Sequence, residues 1–80
     1  MRDVLNKYVF FKVKNVIRDM KDKQQGDISC VVAKDGYLSG DSFNIYIVSN
    51  GNKVWVDHAK REGTANKKLN RINEIIEYII

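Results

Sequence analysis

The chain has 80 residues, of which 44% are hydrophobic, and a formal net charge of +4. A chain this short holds one modest core, so we expect a single domain over residues 1–80. Its single cysteine, Cys30, excludes an internal disulfide, and no apolar run approaches the length of a membrane span. We therefore expect a cytoplasmic protein without a membrane partner, and the basic balance favours an acidic ligand such as nucleic acid.

The first segment has the periodicity of an amphipathic helix, predicted over roughly residues 3–22. Its apolar residues recur at three- and four-residue spacing: Val4, Leu5, Tyr8, Val9, Val13, Val16, Ile17 and Met20. The opposite side carries a basic stripe, formed by Lys7, Lys14, Arg18 and Lys21. Phe10 and Phe11 flank the basic stripe, and we expect one of them to be exposed.

Three short strands are predicted after this helix. The first covers residues 28–33, places Cys30 on an aliphatic face and ends at Asp35-Gly36. A flexible turn through Gly40 leads to a second strand of alternating residues from Phe43. A third strand is predicted from Lys53 to about His58.

The pair Asn50-Gly51 predicts a tight hairpin between the last two strands, because a type I′ turn needs positive φ at both positions. This turn sets a register of four pairs: Ile47 with Val54, Tyr46 with Trp55, Ile45 with Val56, and Phe43 with His58. The register separates an aliphatic face, which should meet the helices, from an open face with Tyr46 and Trp55. Aromatic residues on an open face can stack nucleic-acid bases, form a protein interface or simply stabilise the hairpin.

Thr64 is predicted to cap a final helix. The expected buried residues of that helix are Ala65, Leu69, Ile72, Ile76 and Ile79. Further apolar residues, Ile75, Tyr78 and Ile80, broaden its apolar surface and favour self-association, for example as a homodimer.

The charge order of this helix is the reverse of what a helix dipole prefers. Basic residues come first, at Lys67, Lys68 and Arg71, and the acidic residues Glu74 and Glu77 follow. Negative charge is favoured near a helix N-terminus and positive charge near its C-terminus. We therefore expect an anion, most simply phosphate, at the start of the helix.

The predicted fold is α+β, with the order α-β-β-β-α and both helices on one face of a three-stranded antiparallel sheet. It resembles the double-stranded RNA-binding domain: Gly36, Phe43 and Gly51 have the family's spacing, and Gly63-Thr64-Ala65-Asn66-Lys67-Lys68 stands where that family has Gly, Ser and two Lys. The resemblance implies that Lys67 and Lys68 hold phosphates across a major groove while the first helix approaches a minor groove. It also implies that the face with Tyr46 and Trp55 points away from RNA, which favours a protein contact for these two residues. The segment Gly36-Tyr37-Leu38-Ser39 lacks the family's Pro and His.

A weaker resemblance links the chain to HicA-type messenger-RNA-cleaving toxins, through Val54-Trp55-Val56-Asp57-His58-Ala59-Lys60-Arg61-Glu62. Those toxins carry their catalytic His in a Gly-Ser-His segment, and here Gly40-Asp41-Ser42 places Ser42 at that position. The substitution removes the general base that the resemblance implies. His58, the only histidine, has no acid or thiol at an informative spacing, so we expect no catalytic residue. Asp35, Asp41 and Asp57 lack the ligand spacing of a calcium or magnesium loop, and we expect no metal or cofactor.

These observations favour a small non-enzymatic module that binds nucleic-acid backbone, RNA more than DNA. The expected contacts are Lys7, Lys14, Arg18, Lys21, Lys60, Arg61, Lys67, Lys68 and Arg71. The alternative is a protein-binding inhibitor or accessory factor from a phage or mobile element that acts on a nucleic-acid-processing protein. Its interface candidates are Tyr46, Trp55, Tyr78 and Ile80. A HicA-like ribonuclease toxin is the third hypothesis.

Overall fold

The structure, a computed structural model, describes residues 4–24, 26–34 and 42–80. Its elements are α1 (Lys7–Asp22), β1 (Ile28–Lys34), β2 (Phe43–Ser49), β3 (Asn52–Ala59) and α2 (Glu62–Ile79). The strands form an antiparallel sheet in the order β1-β2-β3, and both helices pack against one face of it. The predicted α-β-β-β-α fold is confirmed. The predicted strand end at Asp35-Gly36, the segment Gly36-Tyr37-Leu38-Ser39 and the turn through Gly40-Asp41 lie outside the described residues.

Helix α1 begins later than the apolar periodicity predicts. Asn6 is its N-cap, and its side-chain oxygen accepts a hydrogen bond of 2.8 Å from the backbone N–H of Val9. An Asn cap satisfies an N–H group that has no partner within the helix, which favours a start at this position. Val4 therefore precedes the helix. Val4 is exposed, and Tyr8, predicted on the buried side, is 70% exposed. Phe11 is exposed and Phe10 half-buried, as expected for the pair.

The core lies between the sheet and the two helices. The residues buried there are Leu5, Val9, Val13, Ile17, Met20, Cys30, Ile45, Ile47, Val56, Ile72, Ile75 and Ile76. The prediction that Cys30 is a core residue is confirmed. The prediction that Ile75 broadens an exposed apolar surface is wrong, because this residue is buried at 5% exposure, while Leu69 and Ile79 are only half-buried.

The β2–β3 hairpin has the predicted turn, with φ of 49° at Asn50 and 86° at Gly51. The pairs Ile47–Val54 and Tyr46–Trp55 are confirmed. Beyond them the register shifts by one residue, so that Ile45 pairs with Asp57 rather than with Val56. This shift is a β-bulge, in which β3 holds one residue more than the strand it faces.

The bulge changes which residues of β3 face the helices. Val56 and Asp57 are consecutive and both buried, at 1% and 8% exposure, which simple alternation forbids. His58 therefore pairs with Asn44 and not with Phe43, which pairs with Ala59. The predicted pairs Ile45–Val56 and Phe43–His58 are both wrong, because the turn alone cannot specify an insertion several residues away.

Helix α2 begins at Glu62 with Arg61 as its N-cap, so the prediction of Thr64 as the cap is wrong. The helix has an acidic residue in its first turn, and Lys67 lies beyond that turn. Dipole effects fall off within the first turn, so the expected conflict between charge order and dipole does not arise at the N-terminus.

Within the described part of the chain, neither helix has the length and apolar character needed to cross a membrane.

Candidate functional site

The predicted phosphate ligand Lys68 is bound by its own chain. Its Nζ lies 2.8 Å from Oδ2 of Asp57 and donates a second hydrogen bond, of 2.9 Å, to the backbone carbonyl of His58. The side chains of Lys68 and Asp57 are only 17% and 11% exposed. The ammonium of Lys68 thus neutralises the carboxylate that the β-bulge turns inward.

The other cations of α2 are also not gathered at its start. Arg71 makes an ion pair of 3.3 Å with Glu74, and its guanidinium carbon lies 5.8 Å from the centre of the Phe10 ring. Lys67 is exposed. Arg71 and Lys68 both serve contacts within the fold, so α2 does not present the predicted cluster of three cations.

The basic stripe of α1 is partly explained by packing against α2. Lys21 donates a hydrogen bond of 3.1 Å to the carbonyl of Ile79, at the C-terminus of α2. The dipole of α2 favours a positive charge at the C-terminus of this helix, and the last turn of α2 contains no basic residue. The Lys21 ammonium supplies that charge from α1. Lys14 lies 5.3 and 5.8 Å from the ring centres of Phe10 and Phe11, whereas Lys7 and Arg18 are exposed.

A different surface concentrates cationic and aromatic groups: the side of the sheet away from the helices, which we call the open face. Its residues alternate with the buried ones along β1 and β2, and along β3 except at the bulge. They are Ser29, Val31 and Ala33 of β1, Asn44, Tyr46 and Val48 of β2, and Lys53, Trp55 and His58 of β3. None of these nine residues is acidic.

Trp55 and His58 form the centre of the open face. Their ring planes are 13° from parallel, and their centres are 6.5 Å apart. The indole N–H of Trp55 donates a hydrogen bond of 3.0 Å to Oδ1 of Asn44, which fixes the orientation of the ring on the neighbouring strand. Trp55 is 42% exposed and the His58 side chain 61% exposed. The two rings therefore present accessible, oriented aromatic surface.

Two lysines lie over aromatic rings of the open face. The ammonium of Lys12 is 4.7 Å from the centre of the Trp55 ring, and that of Lys53 is 4.2 Å from the centre of the Tyr46 ring. Cation–π contacts of this kind contribute only about 0.5–1 kcal/mol at exposed sites, so the ammonium groups remain able to bind an anion. At the other end of β3, Lys60 and Arg61 are exposed in the connection to α2.

The bulge contributes to the electrostatics of the open face. With regular alternation, Asp57 would follow Trp55 on this face and His58 would point to the helices. Instead Asp57 faces Lys68 in α2, and His58 stacks beside Trp55. At this position the open face therefore carries an imidazole instead of a carboxylate, and none of its nine described residues offsets the positive charge of Lys12 and Lys53 with an acidic group.

The sequence predicts Tyr46 and Trp55 on the open face, but the neighbouring Lys12, Lys53 and His58 are not among its predicted contacts there. Strand alternation could have indicated Lys53, since a residue two positions before Trp55 lies on the same face of the sheet. It could not have indicated Lys12, because the Lys12 ammonium reaches Trp55 only when α1 packs near β3. The contribution of His58 depends on the bulge, for which the sequence carries no recognised signal.

The described residues contain no arrangement that suggests catalysis. Burial raises the pKa of the Cys30 thiol to about 12, which keeps it protonated and unreactive. Nδ1 of His58 lies 3.8 Å from Oδ1 of Asp57, beyond hydrogen-bonding distance. Ser42, at the position where HicA-type toxins carry their histidine, is half-buried next to β2. No three potential metal ligands lie together among residues 4–24, 26–34 and 42–80.

The remaining interface candidates, Tyr78 and Ile80, lie at the end of α2, which packs on the other side of the sheet from the open face. Tyr78 is 90% exposed and Ile80 64% exposed. Tyr78 borders a groove of about 420 Å³ between the helices, together with Phe10, Lys14 and Arg71. Glu74 lines this groove beside the two cations, whereas none of the described residues of the open face is acidic.

Comparison with known proteins adds no further assignment: no protein family matches this sequence, and neither a curated protein nor a solved structure is significantly similar to it.

Proposed function

We propose that the protein is a non-enzymatic module that binds the phosphate backbone of nucleic acid on the open face of its sheet. The observation that carries this proposal is the composition of that face. The exposed rings of Trp55 and His58 lie next to Tyr46, the ammonium groups of Lys12 and Lys53 lie over the Trp55 and Tyr46 rings, and none of the described residues of this face is acidic. Polyanions are attracted to such a surface without any requirement for a particular base sequence.

The cations at the end of β3 extend this surface. Lys60 and Arg61 follow His58 closely in the chain and are exposed, so a backbone lying along β3 meets positive charge at both ends of the strand. Each phosphate that such a group neutralises contributes about 0.7–0.9 to the slope of log affinity against log salt concentration. Binding should therefore weaken strongly as salt is raised.

The proposed surface differs from the one that the double-stranded RNA-binding domain resemblance implies. In that resemblance Lys67 and Lys68 hold phosphates, but here Lys68 is occupied by Asp57 and by the carbonyl of His58. The resemblance in element order still favours RNA over DNA as the ligand, and a titration with each of them compares the two.

The proposal is tested by titrating labelled RNA and DNA, single-stranded and duplex, at two salt concentrations. Two charge-matched variants locate the surface: Lys12→Glu with Lys53→Glu, whose ammonium groups lie over the rings of the open face, and Lys7→Glu with Arg18→Glu on the outer side of α1. Each pair of substitutions removes four units of charge and brings the net charge from +4 to zero. We expect the open-face variant to lose affinity much more than the α1 variant.

A larger loss in the α1 variant would contradict the proposal and favour contact through the helices, as the resemblance implies. Absence of salt-dependent binding to all four nucleic acids would also contradict it. The open face would then be better explained as a protein interface, which is the main alternative from the sequence.

A further inference from the structure

We infer that the ligand of the open face is single-stranded nucleic acid, in which an unpaired base stacks on Trp55. This inference rests on the proposed function and names the form of nucleic acid that the site takes. It depends on the arrangement of the rings rather than on the number of cations.

The accessible rings are oriented as a platform. Trp55 is held to β2 by its hydrogen bond to Asn44, and the His58 ring lies beside it at a plane angle of 13°. A ring held in this way loses little freedom when a flat ligand binds. Bases of a single strand offer their faces to such rings, whereas a duplex covers those faces with neighbouring base pairs and offers its backbone and groove edges.

Each pair of a lysine and a ring can contact both parts of a nucleotide: the ring contacts the base, and the ammonium contacts the phosphate. Lys12 over Trp55 and Lys53 over Tyr46 are long, flexible side chains whose ammonium groups occupy ring surface in the structure. A nucleotide would replace each ammonium on the ring with its base and would offer the displaced ammonium a phosphate. Exposed cation–π contacts are weaker than base–aromatic stacking, so this exchange is favourable.

The β-bulge is what makes this platform compatible with a polyanion. It places His58 beside Trp55 and directs the Asp57 carboxylate to Lys68, which neutralises it, while Oδ1 of Asp57 stays 3.8 Å from Nδ1 of His58. Regular alternation would leave a carboxylate next to Trp55, where it would repel the phosphates of a bound strand.

Trp55 is the only tryptophan of the chain, so its fluorescence reports on this ring alone. The experiment titrates the full chain with three probes: a short single-stranded RNA, the duplex of the same sequence, and inorganic polyphosphate, which has charge but no bases. We expect the single strand to quench the fluorescence and polyphosphate to bind without quenching. The single strand should also bind more tightly than the duplex.

Variants at position 55 separate stacking from charge. Trp55→Leu should weaken binding of the labelled single strand by about 5- to 150-fold, which corresponds to ~1–3 kcal/mol for one stacked base, and should leave polyphosphate binding unchanged. Trp55→Phe keeps a ring and should retain most of the affinity. Tyr78→Leu removes an aromatic ring that is 90% exposed on α2 and serves as the matched control. Circular dichroism verifies that each variant is folded.

The outcomes distinguish the inference from the proposed function. Equal, salt-dependent affinity for duplex and single strand, without quenching, would overturn the stacking inference and leave backbone binding in place. The stacking inference also fails if Trp55→Leu binds the single strand as tightly as the unmodified protein does. No binding of any of the three probes would overturn the proposed function itself.

Discussion

Oδ2 of Asp57 in β3 lies 2.8 Å from Nζ of Lys68 in α2, and both side chains are largely shielded from solvent. The contact is possible because the bulge in β3 turns Asp57 towards the helices, where regular alternation would turn it away. Lys68 also binds the carbonyl of His58, so one ammonium holds two consecutive residues of the strand. The pair thus connects the shape of the sheet to the position of α2.

Replacing Lys68 with methionine should destabilise the fold. Lys68→Met leaves the Asp57 carboxylate without its cation and removes the donor to the His58 carbonyl. A hydrogen bond to a charged group contributes about 1.5–3 kcal/mol, and we expect a loss of that order in the free energy of unfolding, measured by urea denaturation.

The neighbouring lysine provides the control. Lys67 is exposed, so Lys67→Met removes the same charge and should change stability by less than about 0.5 kcal/mol. In a double-mutant cycle with Asp57→Asn, the combined loss should be smaller than the sum of the single losses. Strict additivity, or equal effects of the two lysine variants, would mean that the pair contributes nothing specific.

The contact between Lys21 and the end of α2 should be measurable and sensitive to salt. Lys21→Met removes the cation that lies 3.1 Å from the Ile79 carbonyl and should reduce stability by about 0.3–1 kcal/mol. Lys7→Met, in the first turn of α1, removes a cation from the unfavourable end of a dipole and should not destabilise. Thermal unfolding at low and high salt tests this, since the Lys21 effect should shrink with screening. If the loss of stability in Lys21→Met is equally large at high salt, the contact between Lys21 and the C-terminus of α2 is not electrostatic.

Two glycines should respond to alanine in opposite directions. Gly51 has φ of 86° in the hairpin turn, a conformation that costs a residue with a Cβ about 1–2 kcal/mol, so Gly51→Ala should destabilise. Gly63 lies in the first turn of α2, and a Cβ added there meets no atom within 4 Å, so Gly63→Ala should stabilise by about 0.4–1 kcal/mol. Urea denaturation of both variants suffices, and a destabilising Gly63→Ala would show that this turn is less helical than described.

Cys30 should make stability depend on alkaline pH. Burial raises its pKa from 9.0 to about 12, so the folded protein retains a proton that the unfolded chain releases. The contribution is fully present below pH 9 and is lost as the pH rises from 9 to about 12. The Cys30→Val variant lacks this dependence, so the stability difference between the two proteins should change only above pH 9.

Iodoacetamide should modify Cys30 only after denaturant unfolds the chain, because the thiol is buried. Fast alkylation of the native protein would contradict this burial.

Local patterns were sufficient for most of the fold. The spacing of Val9, Val13 and Ile17 identified α1, because a helix buries every third or fourth residue against a core. Asn50-Gly51 identified the hairpin and its first pairs, because few residues adopt positive φ at two successive positions. The helix starts were less accurate: Asn6 caps α1, and α2 begins at Glu62 without a side-chain cap hydrogen bond.

Local sequence patterns predict only part of the candidate site. Tyr46 and Trp55 were identified because strand alternation and turn register are local properties. The sequence predicts Lys68 and Arg71 as phosphate ligands, but it does not show that Asp57 and Phe10, which are distant in sequence, contact them. A cation's availability depends on which carboxylate or ring lies within a few ångströms of it.

The sequence by itself determined the order of helices and strands, the hairpin turn and the aromatic pair of the open face, since each follows from the conformational preferences and periodicity of neighbouring residues. Tertiary structure alone decided the bulge in β3, the inward turn of Asp57 to Lys68, the position of His58 beside Trp55 and the reach of Lys12 to the open face. These features arise when separate elements pack together, because only then do burial and charge pairing between distant residues select one register and one partner for each side chain.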